Sequence, residues 1–262
     1  MLAHEACVGS HPCHQNTQVT DDGTSWYQVL TPSAPDPWLN EVLYSHLPND
    51  EEAEAVSRTI DEFRAAKCPL KWSVGKWSSA GIHDLLRANG FRHWRAKGMM
   101  IEPSQWRSPM TQSTRVELLE PGEADTRRVD DFVDAYAAVF CRAWDAKGPI
   151  DDYRAAFQRA HERGTHLLAL AFQNGEPIGV SKAYLGLPSG SAYLMNATVL
   201  PAYRGQGTYR AMITARLRFL AQNGYQQAFT AARGSTSAPL LERWGFHTQY
   251  EYDMFQLDAD AS

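Results

Sequence analysis

The stretch VLPAYRGQGTYRAM (199–212) decides the reading of this chain, because it runs from a strand through a glycine-containing turn directly into a helix. Beyond the turn, Tyr209, Met212, Ile213, Leu217 and Leu220 fall on one helical face. Gly205 and Gly207 let backbone amides come close to an anion, and the free N–H groups and dipole of a helix start favour negative charge there. Such a turn can hold a pyrophosphate. A glycine turn before a helix is most often only a turn, so the order of the flanking elements carries the weight.

Ahead of that stretch, residues 116–119 read as a strand, and Val129, Phe132, Val133, Tyr136 and Phe140 make an i, i+3, i+4, i+7, i+11 stripe. That is an amphipathic helix. Tyr153, Phe157 and Ala160 support a shorter one. Residues 166–172 and 177–187 then flank Asn174-Gly175, the strongest short hairpin signal, and a third strand at 192–200 follows Pro188-Ser189-Gly190. The predicted order is strand, helix, helix, three antiparallel strands, helix, strand, helix, strand.

The first half is read more coarsely. Residues 1–24 are polar and without period, which predicts a flexible arm, and the fold is expected to start near Trp26. Val56, Ile60 and Phe63 fall at helical spacing after the acidic residues 50–52, and Leu70, Trp72 and Val74 mark an apolar stretch. Ile82, Leu85 and Leu86 suggest a short helix ended by Asn89-Gly90, with a strand at 91–101. Pro103, Ser104, Ser108 and Pro109 make the best linker, so the expected domains are 25–108 and 109–262. LLRANGF (85–91) echoes LLERWGF (240–246), and Met99 and Met254 stand the same distance beyond each phenylalanine.

Composition narrows the function classes. The 262 residues are 44% hydrophobic with a formal charge of −5 and no Lys/Arg run, so the basic stripe that nucleic-acid binding requires is missing. The apolar run at 167–172 is far too short to span a membrane, and no basic-then-apolar signal pattern opens the chain. The expectation is a soluble cytoplasmic protein, monomer or homodimer, with no nucleic-acid or membrane partner. Four scattered cysteines fit a reducing compartment. His4, Cys7, His11, Cys13 and His14 are soft or borderline ligands close in sequence, but they lack paired Cys-x-x-Cys spacing, so no metal is expected.

With these elements in place, the chain resembles the GNAT superfamily of N-acyltransferases over roughly residues 115–257. Arg204, Gly207 and Tyr209 occupy the three positions of its Q/R-x-x-G-x-G/A loop, Tyr209 departing from the usual small residue. LLERWGF is similar to the family's closing "LY..LGF". The resemblance implies a mixed, largely antiparallel α/β sheet flanked by helices. With the internal repeat it implies two tandem GNAT-like domains, the first degenerate because no glycine turn precedes its helix. It also implies acetyl-CoA as co-substrate, with Ala197, Thr198 and Val199 bonding the pantetheine arm through the main chain. Arg204, Gly205, Gln206, Gly207, Thr208, Tyr209 and Arg210 would hold the pyrophosphate, and Ser235 would bond the cofactor or, like Ser237, cap a helix.

The implied activity is transfer of an acetyl group to a primary amine of a small molecule by direct attack in a ternary complex. A non-catalytic acyl-CoA sensor or scaffold is the alternative. Amide formation from a thioester needs a deprotonated amine, a donor to the oxyanion, and a proton for the thiolate. A main-chain N–H near Thr198 or Val199 would be the donor. Tyr193 and Asn196 are the polar candidates on the central strand, whereas Phe229 stands where some relatives carry Glu. Leu241 aligns with the family's general-acid tyrosine, and Gly234 with its frequent Asn. Tyr184, Tyr250 and Tyr252 are further candidates for the acid.

Overall fold

The computed structural model describes residues 14–48, 50–107, 114–188 and 190–259. They form two compact units. The first takes the described residues through Gly98, with Ala232–Leu240 and the chain from Thr248 onward; the second takes Met99–Ala231 and Leu241–His247. The units do not coincide with one break after residue 108, because the last strand returns to the first unit. Of the expected linker, Ser108 and Pro109 lie outside the described residues, and Pro103–Gln105 is a 3-10 turn.

In the first unit, β1 (Gln18–Asp21), β2 (Trp26–Leu30) and β3 (Glu41–Ser45) pair antiparallel. The part of the expected flexible arm at 18–21 is therefore an edge strand: Thr20 stands opposite Gln28, since ladder bonding needs no apolar period in a strand that is exposed throughout. The other arm residues through Cys13 lie outside the described ones. Helix α1 (Glu52–Ala65) crosses to β4 (Leu70–Val74), which runs parallel to β3. Its stripe Val56, Ile60 and Phe63 is buried as the spacing predicts. Helix α2 (Ile82–Ala88) leads to β5 (Arg92–Ile101). The C-terminal strand β11 (His247–Leu257) lies antiparallel on β4, with Phe255 opposite Trp72, both fully buried in one core with Val42, Phe63 and Leu86.

The second unit begins with β6 (Arg115–Leu119), α3 (Thr126–Trp144) and α4 (Ile150–Glu162). Asp125 caps α3 by accepting from the Arg128 N–H at 3.1 Å, which satisfies one orphan donor of the first turn. The stripe on α3 closes on α4 through Tyr136, Phe140 and Phe157, with ring centroids 4.7 and 5.2 Å apart. β7 (His166–Gln173), β8 (Glu176–Leu187) and β9 (Ser191–Val199) follow antiparallel. Asn174 and Gly175 have φ of 52° and 86°, as a type I′ hairpin turn requires. α5 (Thr208–Gln222) crosses to β10 (Gln227–Arg233), parallel to β9, and α6 (Ser237–Arg243) follows.

The two echoing heptapeptides close their helices in the same way. Phe91 N–H donates to Leu86 O at 3.1 Å and Gly90 N–H to Arg87 O at 3.1 Å; Phe246 N–H donates to Leu241 O and Gly245 N–H to Glu242 O, both at 3.0 Å. Each places its phenylalanine in a core, at 5% and 2% exposure. The recurrence is one of geometry as well as letters. Both halves also share an order: antiparallel strands, a helical crossover to a parallel strand, a short helix and a final strand.

Asn40 shows how the first unit holds its longest turn. Fully buried, it accepts from Thr31 N–H at 2.8 Å and donates to Ala34 O at 2.8 Å and Asp36 O at 2.9 Å. Asn40→Ala strands the buried Thr31 N–H, which costs about 1–3 kcal/mol, and removes one of two bonds from each of Ala34 O and Asp36 O, which keep main-chain donors, at about 0.5–1 kcal/mol apiece. The expected outcome is about 3 kcal/mol lost in denaturant unfolding, with no change in the secondary-structure spectrum at low denaturant.

Candidate active site

Strand β9 carries one of the places where the second unit departs from a regular sheet; others lie between Ala171 and Phe172 and between Tyr184 and Leu187. Gly179 stands opposite Val199 and Val180 opposite Thr198, but Lys182 is opposite Met195, so Asn196 and Ala197 together face the single Ser181. Two residues against one is a β-bulge, which bends the strand and re-aims its groups. Asn196 takes φ 52°, a conformation Asn tolerates better than most residues. On the other side, the parallel register with β10 runs from Gln227 opposite Ser191 to Thr230 opposite Leu194, where Thr230 Oγ1 donates to Leu194 O at 2.9 Å. Beyond Leu194, β9 continues to Val199 without further β10 partners in that register. Main-chain groups of 195–198 that point away from β8 therefore have no β10 partner in that register.

The turn after β9 is fastened at its base. Leu200 N–H donates to Ile178 O at 2.8 Å, Tyr203 N–H to Leu200 O at 2.9 Å, and Arg204 Nε to Val199 O at 3.0 Å. Gly205 and Gly207 have φ of 76° and 86°. Gly207 is the N-cap of α5, no side chain caps the helix, and its first turn holds no acidic residue. Its leading amides are left for an anion. Gly179 allows the close approach of this helix: a Cβ there would lie 3.1 Å from Thr198 O and 3.2 Å from Thr208 Cγ2.

The side chains of the turn point several ways. Thr208 is buried. Tyr209, the departure from the small residue, turns its ring to Trp244 at 5.7 Å, and burial raises its phenol, so the bulk leaves the loop while the amide stays. Arg210 lies over the Trp244 ring at 5.5 Å, its Nε buried without a hydrogen-bond partner. Gln206 accepts from Gln173 at 3.1 Å and donates to Ala202 O at 3.3 Å.

Tyr193 and Asn196 are brought onto the same strand as Ala197, Thr198 and Val199, at opposite sides of the end of the β10 register. Tyr193 stands opposite Tyr184 and Phe229, and Tyr184 opposite His166, so these four make one row across β7 to β10. No Asp or Glu stands in it. His166 is buried, and desolvation with the nearby Lys182 and Arg163 charges pushes its pKa down to about 3, leaving the imidazole neutral. Leu241 is buried at 1% exposure, a core side chain with no proton to give. Ser235 is exposed in the turn after β10 and, with Gly234, belongs to the first unit rather than to the group around α5. Ser237 Oγ accepts from Arg233 N–H at 2.9 Å and so closes that turn. Tyr250 and Tyr252 also belong to the first unit, where they pack on Trp77 at 5.5 and 5.8 Å. Sequence reasoning missed the bulge and His166; an Asn inside a strand was the one available signal.

The corresponding turn of the first unit is built differently. Between β3 and α1 there is no glycine, Glu51 is the N-cap, and Glu52 and Glu54 occupy the first turn. Leu47 N–H donates to Ser79 Oγ at 2.9 Å, and His46 Nδ1 lies 2.8 Å from Trp77 O. Carboxylates stand where the second unit has open amides.

Residues 129–246 match the model of the Acetyltransferase (GNAT) family. No curated protein matches the sequence. Among solved structures, a GCN5-related N-acetyltransferase from Kribbella flavida is 14% identical, with a TM-score of 0.62 over 98% of this chain and 95% of its own. One from Sphaerobacter thermophilus is 15% identical, with a TM-score of 0.58 over 93% and 83%. A tandem GNAT protein from the clavulanic acid biosynthesis pathway is 12% identical, with a TM-score of 0.58 over 95% and 85%. At such identities the likeness is one of fold. Residues 129–246 are thus similar in sequence to that family, and the fold, a mixed and largely antiparallel sheet flanked by helices, is that of these neighbours. No helix among the described residues is long and apolar enough to cross a membrane, and no His/Cys/Asp/Glu group among them could hold a metal ion.

His166 makes a pH prediction. Its folded pKa lies below the unfolded value of 6.5, so the unfolded chain binds a proton that the folded one does not. Its stability contribution is full above 6.5 and is lost as pH falls toward 3. In His166→Phe, the stability lost between pH 7.5 and 5.5 should be smaller than in wild type by about 1 kcal/mol, read from urea unfolding at both pH values. An equal loss in both proteins would place the imidazole in water.

Proposed function

We propose that this chain is an N-acetyltransferase that moves an acetyl group from acetyl-CoA to a primary amine of a small molecule by direct attack in a ternary complex. The observation that carries the reading is the uncapped start of α5, with left-handed Gly205 and Gly207, following directly on a bulged strand with open main-chain groups. The amides from Gly205 to Arg210 hold the pyrophosphate, and Arg204 holds the turn by bonding Val199 O. The main chain of Ala197 to Val199 pairs with the pantetheine arm as a short added strand would. An N–H near Thr198 or Val199 polarises the thioester carbonyl, where the oxyanion develops.

The row beside this strand offers Tyr193 and the neutral His166 but no carboxylate, and Asn196 has no titratable group. Alignment of a free amine with the thioester is then the main source of rate, with water taking the amine proton. A thiol of ordinary pKa, about 8.5, leaves with little help. The buried Leu241 favours one second reading, a module that binds acyl-CoA without turnover. Thiol release from acetyl-CoA across a panel of primary amines separates them: turnover supports the transferase, and tight CoA binding with none supports the sensor. The repeated element order and helix closures support a tandem organisation, with a structural role proposed for the first half.

Two binding experiments test this directly. Because carboxylates open α1, calorimetry should find one CoA per chain; two sites would mean that the first unit also binds. In the second unit, Gly207→Glu adds a Cβ at positive φ and a negative charge beside the pyrophosphate. Two like charges about 5 Å apart at an effective dielectric near 20 repel by roughly 3 kcal/mol, about a hundredfold in Kd. Gly207→Ala tests the backbone strain alone and should fall between. Added salt should narrow the gap between the two variants. Wild-type affinity in both folded variants would reduce the turn to a structural one.

A further inference from the structure

Arg216 is among the largest fully buried side chains, at 1% exposure in the third turn of α5. Burying a guanidinium costs several kcal/mol unless it is paired, yet no carboxylate among the described residues pairs with it. Its donors go instead to two main-chain carbonyls: Nε to Met212 O at 3.2 Å, within its own helix, and one terminal nitrogen to Lys182 O at 3.0 Å. Burial lowers its pKa only to about 10, so it stays charged at neutral pH. An apolar side chain of similar length would fill the space at lower cost. The cation must therefore do something that packing does not.

The second carbonyl says what. Lys182 is the residue of β8 at which the register resumes after the bulge, directly opposite Met195. A bulge disrupts the ladder around it, and the peptide groups beside it need support from outside. A charged donor to a carbonyl is about twice as strong as a neutral one. The helix that supplies the donor is the one that opens at Gly207. Small residues clear its path over the sheet: Ala169, Ser181 and Ala183 are fully buried, and Gly179 lies against Thr208 and Met212.

We propose that Arg216 is a positioning residue, which clamps the strand backing the bulge to α5 and so holds residues 196–198 in fixed register with the start of that helix. Its consequence for chemistry rests on the proposed acetyl transfer: the same clamp keeps the thioester-facing main chain aligned with the turn that holds the pyrophosphate.

The test uses the full chain with Arg216→Met and Arg216→Lys. Hydrogen exchange followed by mass spectrometry should show amides of 194–199 exchanging at least tenfold faster in Arg216→Met, with 115–119 and 166–173 unchanged. Thermal unfolding should stay within a few degrees of wild type. CoA affinity should change less than threefold, while the preference for acetyl-CoA over CoA shrinks about tenfold, because the acetyl oxygen is what the bulge region would meet. Arg216→Lys keeps the charge and one donor and should recover part of both effects; if Arg216→Met does not fold, the lysine variant carries the same exchange comparison. Unchanged exchange at 194–199 in a folded variant overturns the proposal. Wild-type protein that binds neither CoA nor acetyl-CoA overturns the functional reading instead, and leaves the exchange result to decide on Arg216.

Discussion

The mismatch of Asn196 and Ala197 against Ser181 is the constraint on which the second unit turns. A strand paired evenly on both sides exposes no main-chain groups and can only be structural. Here β9 keeps β8 through the bulge but holds β10 only as far as Leu194, so its last residues are fixed on one side and open on the other. Fixed and open is what recognition by backbone requires: donors and acceptors that cannot move and are not yet used. The crossing of α5 bears on the same spot, since a Cβ on Gly179 would lie 3.1 Å from Thr198 O and 3.2 Å from Thr208 Cγ2.

The two units show what one scaffold becomes with and without that opening. Both make a parallel pair across a helical crossover. In the first, the strand end is occupied: Trp72 Nε1 donates to Ser45 Oγ at 3.0 Å and Leu47 is tied to Ser79. Its helix opens with glutamates, which satisfy the dipole themselves and repel a phosphate. In the second, the dipole is left unanswered at Gly207, which is a loss of stability unless an anion supplies the charge. An unsatisfied helix start beside a bulged strand is a better argument for ligand binding than either feature alone.

Much of this was legible because it is local. The stripe of α3, the Asn174-Gly175 hairpin, the closures at Gly90 and Gly245 and the turn at Gly205 and Gly207 are each written within a dozen residues. What could not be read is nonlocal. Nothing around residue 250 says that β11 returns to pair with β4, some 180 positions earlier, and the polar residues 18–21 become a strand only because β2 is there to pair with them. The bulge depends on a register shift between two strands, so Asn196 looked like a polar candidate rather than a backbone device. Arg216 falls at i+7 of the stripe Tyr209, Met212, Ile213, Leu217 and Leu220, so its burial is local and legible, whereas its carbonyl partner on β8 is not. Leu241 was legible only through resemblance, and its burial is that of a core side chain.

Burial acts on two bases of the second unit in the same direction with opposite results. His166 starts at 6.5 and is pushed to about 3, so it is neutral wherever the fold is stable. Burial lowers Arg216 from the usual guanidinium range only to about 10, so it remains a cation over that same range. Between about pH 5 and 9 neither changes state, and the charge behind the bulge is constant. The row of His166, Tyr184, Tyr193 and Phe229 holds no carboxylate to add an acid limb. Under the proposed reaction, the proton that governs rate therefore belongs to the acceptor: transfer rises as the amine loses its proton, and the pH profile follows the substrate's own pKa. Under that reaction, a site with fixed charge and open backbone would select for amines that arrive already deprotonated. Its chemistry would then rest on alignment rather than on a titrating side chain.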